Sequence, residues 1–132
     1  MNHVLTSKLD KYISVSTATF KSEGQYLGNR RCHKNVLSYA LANKLSVASI
    51  VGGIQIYSED EIYAHFVVEL SDGTLIDPTF GNLTSTEYTS FKIVERFKVS
   101  DFNPYQELMK LKRELYAAQS LFTRILTCSL NY

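Results

Sequence analysis

The sequence predicts an α+β domain in which an antiparallel sheet is combined with an N-terminal helical region bearing Cys32 and a C-terminal helix. Three observations lead there. Apolar residues recur at helical spacing toward both ends of the chain, and the middle is rich in β-branched residues. Ser71-Asp72-Gly73 then joins two alternating runs by a loop too short for anything but antiparallel pairing. At 132 residues the chain reads as one domain over 1–132, long enough for a core without metal or disulfide staples.

Each element has its own signal. Leu5, Leu9, Tyr12 and Ile13 are spaced for an amphipathic helix, and Gly24 and Gly28 mark the loop after it. From Cys32, the residues Val36, Tyr39 and Ala40 fall at i+4, i+7 and i+8. A second helix ending around Asn43 therefore carries the thiol on its buried stripe and His33 on its exposed side. Residues 46–57 make a strand bent or interrupted at Gly52-Gly53, and "SEDE" is a polar connection. Residues 62–70 and 74–79 form a hairpin with Gly73 where a left-handed backbone is required, and 88–99 form another strand. Asn103 caps the last helix, with Pro104 at its first position and Gln106 three residues past the cap. Leu108, Leu111, Leu115, Ala118 and Phe122 are its apolar stripe.

Composition removes several function classes. A formal charge of +1 gives no basic excess for nucleic acid, and the nine tyrosines and seven phenylalanines are scattered without interleaved cations, so no stacking platform is expected. No apolar run is long enough for a membrane span, and the start lacks a basic segment followed by an apolar one, so a cytoplasmic location is expected. In a reducing cytosol a disulfide between the two cysteines, Cys32 and Cys128, is disfavoured; Cys32 is then a free thiol and Cys128 a bystander. Arg30, Arg31 and Lys34 flank Cys32 as the one basic cluster and raise its local potential.

The hairpin loop fixes a register. With Leu70 opposite Thr74, paired numbers sum to 144, so Val67 faces Asp77 and His65 faces Thr79. His65 and Asp77 then share one sheet face as diagonal neighbours about 7 Å apart at Cβ, within reach of a hydrogen bond. Tyr63, Val67, Glu69 and Leu75 share that mixed face; Ala64, Phe66, Val68, Leu70 and Ile76 make the other, strongly apolar. A helix is needed to cover the mixed face, and if the helix of Cys32 does so, thiol, imidazole and carboxylate converge. A helix N-terminus and an adjacent imidazolium bring a thiol pKa down to roughly 3.5–7.5. Cys32 would act as nucleophile, His65 as base and Asp77 as the acid that orients the imidazole. The Cys32 N–H is an oxyanion donor, with Gln25, Tyr26 or Asn29 as a possible second; Asn35 bonds the preceding loop or helps bind substrate.

These residues carry a family resemblance over about 26–81. A cysteine opening a helix, a histidine beginning "HFVVEL" and an aspartate in "DGTLIDPT" resemble the transglutaminase-like branch of the papain-like superfamily, and "CHKN" is similar to a box of small uncharacterised bacterial and phage proteins. The resemblance implies a papain-like or transglutaminase-like core with a Cys32-His65-Asp77 triad and no cofactor. It further implies a thiol hydrolase or acyltransferase (peptidase, deamidase or transglutaminase-like) acting on a protein, a peptide or a small amide or ester. The chain departs from the pattern in having no tryptophan, with Phe66 following His65, and in being far shorter than a full transglutaminase.

Two other readings use the same residues. A non-catalytic binding or inhibitory module of this fold would keep the triad as structure. A metal site of Cys32, His33, His65 and Asp77 has suitable donor types, but adjacent Cys32 and His33 point apart on a helix and no C-x-x-C pair accompanies them, so no metal is expected.

Overall fold

The computed structural model describes residues 11–27, 31–58, 61–83, 90–118 and 124–126. Among these, the chain forms β1 (Ile13–Ser16), α1 (Cys32–Ala42), β2 (Val47–Ser58), β3 (Glu61–Leu70), β4 (Leu75–Ile76), β5 (Ser90–Phe97), α2 (Pro104–Ala118) and β6 (Arg124–Leu126). The architecture is α+β. The strands run β1-β5-β2-β3-β4 as an antiparallel sheet, and β6 pairs in parallel with Glu61–Tyr63 at the start of β3.

The hairpin has the register that its loop dictates. Val68 pairs with Ile76 and Glu69 with Leu75, Leu70 N–H donates to Thr74 O at 2.8 Å, and Gly73 turns at φ 89°. Strand β4 nevertheless stops at Ile76, not at residue 79. Pro78 has no N–H to give a ladder, and the Asp77 carboxylate takes the N–H groups of Thr79 and Phe80 at 3.0 and 3.2 Å. The bend or interruption expected at Gly52-Gly53 takes the form of a bulge, whose extra residue, Val94, is on β5. Pairing with β3 continues through Gly52↔Phe66 and Gly53↔His65, while pairing with β5 skips from Glu95 to Ile93. A Cβ at Gly53 would lie 2.2 Å from Lys92 O, and one at Gly52 2.8 Å from Phe66 Cε1, so both glycines allow neighbours to close in.

Both helices take the strongly apolar face. Cys32, Val36 and Ala40 of α1 and Leu108, Leu111 and Leu115 of α2 are buried in one cluster with Ile50, Ile54, Ala64, Phe66, Val68 and Ile76. Asn103 caps α2 as expected, its Oδ1 accepting from Gln106 N–H at 3.1 Å. On the other face Val51, Val67, Leu75, Phe91 and Ile93 pack with Phe20 and Phe80, which come from the segment after β1 and the turn after β4. The expectation that a helix covers the His65 face is therefore corrected. On β3 that opposite face is apolar from Ile62 through Ala64, Phe66 and Val68 to Leu70, so it buries more hydrocarbon and draws the amphipathic helices.

Two further expectations change, at Ile13 and His33, and others fall outside the described residues. The N-terminal helix falls largely on residues outside the description, and its last position, Ile13, belongs to β1, where Ile13 and Val15 alternate with serines against β5. Phe122 lies outside the described residues, and β6 follows, a three-residue strand too short to show a period in sequence. His33 is not on an exposed side; it is fully buried and sits edge-on to Tyr105 of α2, with ring centroids 5.4 Å apart.

Candidate active site

His65 and Asp77 meet as the register requires. Nε2 of His65 and Oδ2 of Asp77 are 2.6 Å apart, with the histidine 1% exposed and the aspartate 0%. Because Oδ1 already accepts from Thr79 and Phe80, the carboxylate is held by three donors and cannot swing away from the ring. An anionic acceptor at Nε2 selects the Nε2–H tautomer of a neutral imidazole, which leaves its basic lone pair on Nδ1. Phe80 and Phe91 wall the ring, with centroids at 5.6 and 6.3 Å.

The loop before α1 is built onto the Asp77 turn. Leu27 N–H donates to Thr79 O at 2.7 Å, Asn82 N–H to Gly24 O at 3.1 Å, and Tyr26 stacks on Phe80 at 5.5 Å. Gly81, at φ 57°, admits this contact, since a Cβ there would lie 2.5 Å from Gly24 O. Tyr26 is half exposed, so a ring stack runs from solvent through Phe80 to His65. Tyr39 of α1 donates its hydroxyl to Glu23 at 2.9 Å; burial and that bond push its pKa up to about 12. Gln25, Leu27, Asn35, Ser38, Tyr39 and Pro78 contribute to a groove of about 390 Å³ along α1.

The first turn of α1 reaches the same turn from the other side. Asn35, three residues after Cys32, donates Nδ2–H to Thr79 Oγ1 at 3.1 Å and so ties the helix to the Asp77 turn. Along this edge of β3, β4 pairs with Val68 and Glu69 and β6 with Glu61–Tyr63, and the stretch Ala64–Val67 carrying His65 lies between them. The helix opens with no acidic residue in its first turn and no side-chain cap from Arg31, which leaves its positive dipole end unneutralised by the helix's own side chains.

Cys32 differs from expectation in two respects. It is fully buried in the helix-side cluster with Ala64 and Phe66, whereas His65 stands on the opposite face. It is also disulfide-bonded and not a free thiol. Composition does not report on which cysteines the fold brings together. Strand β6 returns the chain to the sheet two positions before Cys128, the sequence's other cysteine, which lies outside the described residues. Of the oxyanion candidates, Gln25 and Tyr26 sit in the loop on the Asp77 turn, and Asn29 lies outside the described residues. Among the described residues no group of three or more His, Cys, Asp or Glu is placed to hold a metal ion, and none of the helices is long and apolar enough to cross a membrane.

Sequence reasoning missed Thr79 and Phe80 as the groups that fix the aspartate, although Asp-Pro followed by two N–H donors is the signal of such a turn. No family model, curated protein or solved structure matches this chain.

Proposed function

We propose that the chain is a papain-like, transglutaminase-like thiol hydrolase or acyltransferase whose nucleophile, Cys32, is oxidised in the state described. The observation that carries this reading is the buried His65–Asp77 bond at 2.6 Å, on a carboxylate already immobilised by two backbone donors. It gives an imidazole oriented through Nε2 by a fixed carboxylate. The tie from Asn35 to Thr79 supports it by bringing the α1 start to the Asp77 turn.

The reaction needs a thiol reductant to cleave the disulfide and a movement of the Cys32 side chain out of the helix-side cluster toward the His65 edge. The thiolate then attacks an amide, ester or thioester carbonyl, and the imidazolium of His65 gives its proton to the leaving amine, alcohol or thiol as the acyl bond breaks. Water then cleaves the thioester, or an amine takes the acyl group. The groove along α1, bordered by the carboxamides of Gln25 and Asn35, suits an extended peptide or an amide side chain. A disulfide at Cys32 fits an oxidising compartment better than a reducing cytosol.

The disulfide and the helix-side burial of Cys32 also favour a second reading, a binding or inhibitory module in which His65 and Asp77 only brace the turn. Alkylation separates the two. After reduction and desalting at neutral pH, the enzyme reading expects iodoacetamide to label Cys32 at least about tenfold faster than Cys128, and His65→Ala to remove the advantage. Incubation with a p-nitrophenyl ester should add one acyl mass on Cys32. Equal, slow labelling in a protein whose circular dichroism shows it still folded would sink the enzyme reading and leave the module.

A further inference from the structure

His33 is the one residue among those described whose buried side chain has two ring nitrogens and no hydrogen-bond partner for either. Its relative exposure is 0%, and it lies between the first turn of α1 and Tyr105 in the first turn of α2. Buried polar atoms nearly always find partners, so an imidazole left without any needs a physical account. Arg31 and Lys34 on its own element act against a charge on the ring, and α2 presents the Tyr105 ring, over which Lys34 Nζ already stands at 5.1 Å. The carboxylate of that α2 turn, Glu107, lies 3.5 Å from Lys110 Nζ, and its buried Oε1 makes no hydrogen bond.

We propose that His33 is an acid-sensitive latch between the two helices, holding them together while neutral and releasing the first turn of α1 from α2 when it takes a proton. In the closed position burial, and secondarily Lys34 and Arg31, lower its pKa from 6.5 to about 4. The sign follows from linkage. Above pH 6.5 both closed and open forms are neutral and the latch is at full strength; below it the open form binds the proton first, and closure weakens until the closed form also titrates near pH 4. At pH 5 the opening equilibrium is expected to be raised about thirtyfold over its value at pH 7.5. The device needs no enzymatic activity and holds for either reading of Cys32.

Amide hydrogen exchange on the intact, disulfide-bonded chain tests it, with rates corrected for intrinsic pH dependence. Between pH 7.5 and 5, amides in the first turns of α1 and α2 should lose about thirtyfold protection while those of β2 and β3 do not. His33→Phe, which keeps the edge-on ring and cannot titrate, should abolish the loss. A wild-type profile that is flat, or an equal loss in His33→Phe, overturns the latch. Should that variant fail to fold, an NMR titration of the wild-type His33 ring decides: a pKa at or above 6.5 also overturns it.

Discussion

Asp77 is where one residue decides most locally. Its two oxygens accept from His65, Thr79 and Phe80 with no exposure to solvent, so Asp77→Ala strands a buried imidazole and two N–H groups together. Breaking a buried pair by removing one partner costs about 3–5 kcal/mol, and urea denaturation should show a loss of that size. Asp77→Asn retains a carbonyl acceptor for the turn and should lose less; an equal loss would mean that charge, not the turn, is what the site needs. His33 shows the opposite arrangement, a polar ring with nothing to hold it. Nothing in the helical spacing of Cys32, Val36 and Ala40 distinguishes its position from an exposed one, because a histidine one position off the stripe is buried only if another helix lands on it. Tyr105 does so here.

At the scale of elements, the sequence is legible where a local rule is strict. Read as a three-residue loop rather than a two-residue Asp-Gly turn, Ser71-Asp72-Gly73 gives one register, and the observed pairs Val68↔Ile76 and Glu69↔Leu75 follow it. Asn103 with Pro104 admits one helix start. Where the rule is loose the boundaries move. Residues 74–79 alternate well enough for a strand, yet the Asp77 side chain competes for the backbone and ends β4 two residues in. Gly52-Gly53 reads as a break because glycine lacks strand propensity, but the pair is retained for clearance beneath Phe66 and Phe91. Gly53→Ala is therefore expected to cost about 3 kcal/mol, at the upper end of overpacking costs, since the added methyl meets a backbone oxygen that cannot turn aside. A thermal melt of the variant within about one degree of the parent would contradict this account of the bulge.

For the whole molecule the disulfide is the main consequence of tertiary structure. Cys32 opens α1, its burial is complete, and its oxidation ties the helix start to a distant part of the chain. Reduction should lower stability by about 2–4 kcal/mol in urea, with the midpoint falling on addition of a phosphine reductant; no shift would mean that the cross-link constrains nothing. Under denaturing, non-reducing conditions the oxidised protein should show no titratable thiol on Cys32.

What the sequence determined by itself is the short-range logic. It contains the α+β class, the hairpin register, the meeting of His65 with Asp77 and the cap of α2, each set by residues no more than about a dozen positions apart. Tertiary structure alone decided which sheet face the helices cover, that His33 is enclosed, and that Cys32 is oxidised. The physical reason is common to all three. Both faces of β3 bear apolar residues, so the choice between them rests on the total area that distant elements bury, and that sum is not contained in any local pattern.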